Sequence, residues 1–367
     1  MNSKERLTRC YFGHEIDRPA VYSRTSFPDN DATYDKLKEY LNRFSDQKAN
    51  FYAKGLCESY KRDNVKEAYS PEYDKVTTIL HTPKGELQQV WLNSRTNQPG
   101  FLKEYFIKDA SDCEKYLSLP LPRIDGDCSD FFKEQDKMGN KGIVEVFLGN
   151  NPGGTVADLM GSETFAMLSI TDRELLHALC RREMDIHMQI VSYVIDAGLG
   201  PFFAIHGQEY IVPPLHGRVD FDDFNVRYDK PIIDLIHEAG GRVHVHCHGS
   251  LRQVLSGFLE MGADVLHPIE PPPLGDITAG EARAILGDKV CIEGNIQIAN
   301  MYESSPEQII EETAKLIKDA FVNSKGLIVS PTASPYIPGA GETCFLQYKA
   351  MIDTMISLGN TRQTCNT

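Results

Sequence analysis

A strand, a helix and a second strand follow one another in the segment RVHVHCHGSLRQVLSGFLEMGADVLHPIE, residues 242–270. Arg242 to Cys247 carries apolar residues at alternate positions, which predicts a strand. Leu251 to Met261 predicts a helix that ends at Gly262, and Asp264 to His267 predicts the next strand. Two short apolar strands joined through a helix are typical of neighbouring parallel strands in one sheet.

The same alternation extends over residues 141–367. Further strands are predicted at 143–148, 201–205, 289–293 and 326–330. Helices are predicted at 171–198, at 231–239, after the N-caps Thr278 and Ser305, and at 343–358. At least six such units indicate either a barrel or an open doubly wound sheet. The barrel is favoured, because it brings the polar residues at the strand ends to one mouth.

Residues 1–140 lack this regularity and are rich in Tyr, Lys and Asp. Two helices are predicted there, at Lys4 to Phe12 and at about Ala32 to Phe44, on the basis of apolar residues at helical spacing. Residues 1–140 are therefore expected to hold an N-terminal extension together with the first barrel units.

The charge balance argues against two classes of partner. Lys and Arg number 38 and Asp and Glu 52, which gives a net charge of −14. Such a surface repels nucleic acids and anionic membranes. No apolar run reaches the ~18 residues of a membrane span, and Met1 to Arg9 is too charged for a secretory signal. The nine cysteines form no CxxC pair, which is typical of reduced thiols in the cytoplasm.

The histidines of the opening segment are candidate metal ligands. Alternate residues of a strand share a face, so His244, His246 and His248 point the same way. Glu270 lies one strand–helix unit later and is expected on the adjacent loop. Two imidazoles and a carboxylate suit zinc and leave one coordination position open. The alternative is that the histidines are hydrogen-bonded core residues and Glu270 is a solvated loop acid.

Other polar residues near strand ends are candidate substrate contacts. His206 and Glu209 follow the strand at 201–205, where each would contact substrate, supply a further metal ligand or belong to an ordinary loop turn. Asn295 ends another strand, and its amide is suited to orienting a substrate. Tyr22 and Arg24 end the first strand-like run of the chain.

Several landmarks resemble the uroporphyrinogen decarboxylase superfamily, which includes zinc-dependent methyltransferases acting on corrinoid proteins and thiols. They are Lys4-Glu-Arg-Leu-Thr-Arg9, Ile16-Asp-Arg-Pro-Ala20, Asp196-Ala-Gly198, Gly262-Ala-Asp264, Gly294-Asn295 and the region of Pro331. The resemblance extends over essentially the whole chain. It implies an α/β fold consisting of one domain, residues 1–367: a (β/α)8 TIM-type barrel with an N-terminal helical extension.

The chain departs from these relatives at the metal site. The methyltransferases bind zinc through a His-x-Cys pair and a later cysteine, whereas this chain has His246-Cys-His248 and Ser330-Pro-Thr-Ala-Ser-Pro335. The resemblance thus implies a zinc ion (Zn2+) on His246, His248 and Glu270. These are harder donors, suited to polarising an oxygen. The decarboxylases instead use an arginine-rich stretch, and residues 21–27 contain one arginine, Arg24.

The expected function is therefore a zinc-dependent methyltransferase of the O-demethylase type. It would move a methyl group from a small donor, such as a methoxylated aromatic compound, to the corrinoid of a carrier protein. The resemblance also implies a homodimer. Two alternatives stay open: a metal-independent decarboxylase, and a non-catalytic protein that binds a corrinoid or a metal.

Overall fold

The computed structural model describes residues 1–24, 26–96 and 99–364. The strands in these residues are β1 Ala20–Val21, β2 Gln47–Tyr52, β3 Arg62–Ala68, β4 Tyr73–Thr82, β5 Gly85–Ser94, β6 Phe101–Glu104, β7 Gly142–Asn150, β8 Phe202–His206, β9 Arg242–His246, β10 Val265–His267, β11 Cys291–Ile296 and β12 Leu327–Pro331. The α-helices are α1 Ser3–Tyr11, α2 Asp35–Phe44, α3 Ala110–Leu117, α4 Ser129–Met138, α5 Pro152–Thr171, α6 Arg173–Asp196, α7 Arg218–Phe221, α8 Arg227–Glu238, α9 Leu255–Met261, α10 Ala279–Leu286, α11 Asn300–Glu303, α12 Pro306–Ala320 and α13 Gly341–Thr364. Short 3₁₀ turns span Ala32–Tyr34, Ala53–Leu56 and Gln208–Ile211, and a π-helical turn spans Asp222–Val226.

The central element is a curled, eight-stranded parallel sheet of TIM-like type. Its strand order is β1-β12-β11-β10-β9-β8-β7-β2. Neighbours from β7 to β12 follow one another along the chain, whereas β1 pairs with the last strand, β12, and β2 pairs with β7 across an insertion. Asp46 connects the two edges, since its N–H donates to the carbonyl of Val21 and its Oδ2 accepts from the N–H of Val21, both at 2.8 Å. The expected α/β class and parallel strand order are confirmed.

The N-terminal part is not the purely helical extension that the sequence suggested. Strands β3 to β6 form a four-stranded antiparallel sheet inserted between β2 and β7. All seven residues of β3 are exposed, and most of β4 is half-buried on both faces. An element without one clearly buried face has no alternation of apolar and polar residues, so periodicity does not reveal it.

A second correction concerns the helix predicted from Thr171. Two helices, α5 and α6, meet there, and the N-cap of α6 is Asp172, whose side chain accepts from the N–H of Leu175. Helix α5 begins at Pro152 after the N-cap Asn151, in a Pro-Gly-Gly stretch whose composition is typical of a turn. The predicted capping boxes of Thr278 with Glu281 and of Ser305 with Gln308 are both confirmed.

The strands of the parallel sheet enclose a buried cluster of charged groups. The Nζ of Lys48 on β2 lies 2.5 Å from Oε2 of Glu293 on β11 and 3.8 Å from Oε1 of Glu145 on β7. It also donates to the hydroxyl of Tyr11, at 2.7 Å, and that hydroxyl donates to Glu145 at 2.5 Å. His244 on β9 completes the cluster, with Nδ1 3.0 Å from Glu145 Oε1. These contacts connect α1 with four strands.

The two carboxylates keep this lysine charged. Burial alone would lower the pKa of Lys48, but Glu145 and Glu293 outweigh it and raise that pKa. Burial likewise would raise the pKa of Glu145, whereas Lys48 and His244 lower it to about 2. The cluster is thus an ion-paired array inside the sheet.

None of the described helices is long and apolar enough to cross a membrane. The cysteines in the described residues are free thiols, as expected: Cys10, Cys57, Cys113, Cys128, Cys180, Cys247, Cys291 and Cys344. Cys365 lies outside the described residues.

We expect the substitution Lys48→Met to lower the free energy of unfolding by about 3–5 kcal/mol, because it leaves two buried carboxylates without their cation. Urea unfolding at pH 7 measures the change. The control is Lys133→Met, which removes an exposed lysine 2.7 Å from Asp130 and is expected to change the free energy of unfolding far less, because solvent screens this pair. Equal losses in the two variants would contradict the role assigned to Lys48.

Candidate active site

Three histidines lie side by side at the carboxyl ends of neighbouring strands. In the parallel pairing, His206 of β8 is opposite His246 of β9, and His246 is opposite His267 of β10. The carboxyl ends of parallel strands are where barrel enzymes place their active sites. The register thus adds His267 to His206 and His246, the two residues of this row that the sequence had indicated as site residues.

The contacts of His267 determine which nitrogen of His246 is free. His267 Nε2 lies 3.2 Å from the carbonyl oxygen of Pro331, which accepts hydrogen bonds and cannot donate them. Nε2 therefore carries the proton, and Nδ1 of His267 is left as an acceptor. Nδ1 of His246 lies 2.9 Å from that acceptor, which favours the tautomer of His246 in which Nδ1 is the donor. In this tautomer the Nε2 of His246 is unprotonated and carries a lone pair.

The electrostatics favour the same neutral state. Burial, reinforced by the guanidinium of Arg24, lowers the pKa of both His246 and His267 well below the usual range. Nη1 of Arg24 lies 3.2 Å from His267 Nδ1 and 3.7 Å from Oε1 of Glu293. Arg24 has a φ of 45°, an unfavourable value for a non-glycine residue, which is typical of functional sites.

His248 and Glu270 form the second part of the site. Nδ1 of His248 lies 3.2 Å from Glu270 Oε1, and the N–H of Gly249 donates to Oε2 at 3.0 Å. Burial would raise the pKa of Glu270, but these two contacts outweigh it and lower that pKa. The rings of His246 and His248 are 4.7 Å apart, so the structure brings the three predicted ligands together.

The donor set of these three side chains suits zinc, although in the structure they contact one another. Among the residues that the structure describes, no three His, Cys, Asp or Glu side chains are arranged to hold a metal ion. The assignment of His246, His248 and Glu270 as metal ligands therefore stays a prediction.

A cavity of about 240 Å³ opens beside the histidine row. One wall is aromatic: Tyr52 packs edge-on against Phe147 with ring centroids 5.4 Å apart, and Phe147 lies 5.0 Å from His206. Burial, with a smaller effect from Lys54, lowers the pKa of His206 to about 4, so this ring is neutral at pH 7. The cavity is lined by Tyr22, Arg24, Ser26, Asn50, Tyr52, Glu145, Phe147, Ala204, Ile205, His206, His244 and His246.

The predicted substrate contacts fall into two groups. Tyr22, Arg24 and His206 line this cavity. Glu209 lies in the 3₁₀ turn after β8, where its Oε2 accepts from the N–H of Gly207 and burial raises its pKa. Asn295 lines a separate cavity of about 120 Å³ near Thr278 and Glu312.

Sequence reasoning missed His267 and the buried charged cluster as parts of the site. Glu145 carried a usable signal, since it is the single charged residue in the apolar run at 143–148. A charge in a strand with both faces covered needs a buried partner. His267 gave a weaker signal, because one histidine at a strand end has no defined partner until the strand register is known.

Comparison with known proteins gives one family match. The model for "Uroporphyrinogen decarboxylase (URO-D)" matches residues 147–338, just over half of the chain. No match was found among curated proteins.

Two solved structures illustrate the structural relatives. A methyltransferase from Methanosarcina mazei has a TM-score of 0.62 and 14% identity, over 98% of this chain and 99% of that one. A B12-independent methionine synthase from Shewanella sp. W3-18-1, in complex with selenomethionine, has a TM-score of 0.39 and 13% identity, over 67% of this chain and 70% of that one. The similarity to the Methanosarcina mazei methyltransferase shows that the two chains share a fold.

Gly275 fixes the loop that carries Glu270, because a Cβ at this position would lie 1.9 Å from the carbonyl oxygen of Glu270. We expect Gly275→Ala to lower the free energy of unfolding by about 1–3 kcal/mol, as overpacking does. Chemical denaturation tests this. Gly217→Ala is the matched control, since its Cβ would meet nothing within 4 Å. Equal stability of the two variants would show that the Glu270 loop adapts freely.

Proposed function

Since the chain belongs to the uroporphyrinogen decarboxylase family, we propose that it is a zinc-dependent methyltransferase of that family. Its donor is a small O-methylated compound, for which a methoxylated aromatic is the best fit, and its acceptor is the corrinoid of a partner protein. The observation that carries the proposal is the unprotonated Nε2 of His246, a cavity residue whose ring lies 4.7 Å from that of His248, which in turn contacts Glu270. The fold shared with the Methanosarcina mazei methyltransferase is consistent with it.

Zinc would be held by His246, His248 and Glu270. It would supply a Lewis acid that makes the ether oxygen of the donor a better leaving group. The donor chemistry fits, because two imidazoles and a carboxylate are ordinary zinc ligands. The contact between His248 and Glu270 already brings two of the three ligands together.

The chain's own residues perform the remaining tasks. The hydrogen bond that His246 donates to His267 orients His246, and the one that Glu270 accepts from Gly249 orients Glu270. The aromatic wall of Tyr52 and Phe147 binds the apolar part of the donor. When the methyl–oxygen bond breaks, the methyl group passes to the corrinoid and the oxygen keeps the bonding electron pair.

Two features argue against the alternatives. In the described part of the chain the cavity is lined by a single arginine, Arg24, whereas the decarboxylases are expected to hold propionate groups with several. A non-catalytic corrinoid- or metal-binding protein needs no substrate-sized aromatic cavity beside its ligands. A turnover assay distinguishes an enzyme from a binding protein, because a binding protein would take up ligand in stoichiometric amount and stop.

We expect His248→Ala to lower zinc content and methyl transfer together, each by at least about tenfold, because it removes one of three ligands. Metal content is measured by mass spectrometry, and transfer by the absorbance change of reduced cobalamin supplied with a methoxylated aromatic donor. The control His81→Ala removes a histidine that pairs with Asp63 on the antiparallel sheet. Full activity of a zinc-free protein would overturn the proposal.

The substitution His267→Phe tests the orienting hydrogen bond separately. It preserves a ring in the row but removes the acceptor for His246 Nδ1, so we expect zinc affinity to fall by about 10- to 100-fold. Competition with a chromogenic chelator measures this affinity. An unchanged affinity would mean that His267 does not act on the site.

A further inference from the structure

A second cavity, of about 290 Å³, lies between helix α6 and the segment that leads from β2 to β3. It shares no lining residue with the cavity beside the histidine row. Its volume is at the lower end of the ~300–1,000 Å³ that is usual for ligand sites, so a ligand that fills it is small. Two residues of opposite charge, Lys54 and Glu183, line it.

Glu183 is a buried acid without a cation beside it. The residue is 4% exposed, and its Oε1 accepts a hydrogen bond from the hydroxyl of Tyr116 at 2.8 Å. No cation among the described residues lies within ion-pair distance of its carboxylate. Burial raises the pKa of this carboxyl, while Tyr116, Lys54 and Arg182 act in the opposite direction. A buried carboxylate with one neutral hydrogen bond has acceptor capacity that a ligand can use.

Lys54 is a half-buried cation without an acid beside it. Its Nζ donates to the carbonyl oxygen of Asn150 and to Oγ1 of Thr155, both at 3.2 Å, and both acceptors are uncharged. In the part of the chain that the structure describes, no carboxylate lies within ion-pair distance of this Nζ. Burial is the largest influence on the pKa of Lys54 and lowers it. Because an ammonium has three N–H donors, one remains for a ligand.

We propose that this cavity binds a small zwitterion, an α-amino acid with an aliphatic side chain, whose carboxylate contacts Lys54 and whose ammonium group contacts Glu183. Such a ligand gives each charged group a partner and adds no net charge to the cavity. Ile186 and Ile190 line the cavity three and seven residues after Glu183, on the same face of α6, and provide an apolar surface for the side chain. The inference goes beyond the proposed function and does not depend on it.

Ligands that carry a single charge fit this cavity less well. A carboxylic acid would pair with Lys54 but bring a negative charge towards Glu183 and Glu58, which both line the cavity. An amine would pair with Glu183 but leave Lys54 without an anion and meet Arg62, which is also a lining residue. A quaternary ammonium compound has no N–H to donate to Glu183.

The test measures affinities by isothermal titration calorimetry. The probes are L-valine and L-leucine, each compared with the amine that lacks its carboxylate and with the acid that lacks its ammonium group. For at least one of the two, the native protein is expected to bind the amino acid about tenfold more tightly than either fragment, which is the effect of one charged hydrogen bond.

Two variants locate the binding. In Lys54→Met the preference for the amino acid over the amine is expected to fall below about twofold, because the partner of the carboxylate is gone. In Glu183→Gln the preference over the acid is expected to fall in the same way. The matched controls are Lys61→Met and Glu114→Gln, which change exposed residues that do not line the cavity and should leave both preferences unchanged.

The outcomes are decisive in both directions. If a variant does not fold, the comparison of amino acid and fragments in the native protein decides. No binding of either amino acid, equal binding of the fragments, or preferences that survive in both variants overturns the inference.

The titrations are repeated after chelation, because an amino acid offers nitrogen and oxygen atoms that can themselves bind zinc. Affinities that stay unchanged support the second cavity as the site, whereas binding that disappears with the metal overturns it. The methyl-transfer assay is independent of this result. Amino acid binding without methyl transfer refutes the methyltransferase alone, and methyl transfer without amino acid binding refutes the second site alone.

Discussion

The charge of Lys48 is the constraint on which the inside of the sheet depends. Its ammonium group compensates Glu145 and Glu293, which lie on β7 and β11. Both carboxylates contact the site. Glu145 accepts a hydrogen bond from Nδ1 of His244, and Glu293 lies 3.7 Å from Arg24, which in turn contacts His267. The buried charges thus reach the site histidines through Glu145 and Arg24, both of which also line the cavity.

A second constraint comes from the strand register. Parallel pairing places His206, His246 and His267 at one level, and the carbonyl of Pro331 on β12 closes this row. A carbonyl oxygen cannot donate a hydrogen bond. It therefore favours the arrangement in which His267 donates to Pro331 and His246 donates to His267. Backbone pairing across five strands thus decides which imidazole nitrogen faces a ligand.

The sequence was informative where the interactions are local. Alternation along one strand indicated that His246 and His248 share a face, and the order of strands indicated that Glu270 lies on the next loop. In the structure the ring of His246 lies 4.7 Å from that of His248, and Glu270 contacts His248 at 3.2 Å. The N-caps Thr278 and Ser305 were likewise visible, because a capping box spans four residues. The antiparallel sheet was not, since β3 buries no face. Lys48 and Glu293 were also missed, because residues 245 positions apart leave no periodic signal.

That separation in sequence has a consequence for how the protein is made. Synthesis proceeds from the N-terminus, so Lys48 and Tyr11 leave the ribosome long before Glu293 on β11 exists. Until then the ammonium has Glu145 as its carboxylate partner within the sheet, and the strand edge that β11 will cover stays open. The side of the sheet that holds Lys48 therefore stays uncovered until the last fifth of the chain, from β11 onward, has been made. A nascent chain that stops before β11 retains the lysine but lacks the group that allows its burial.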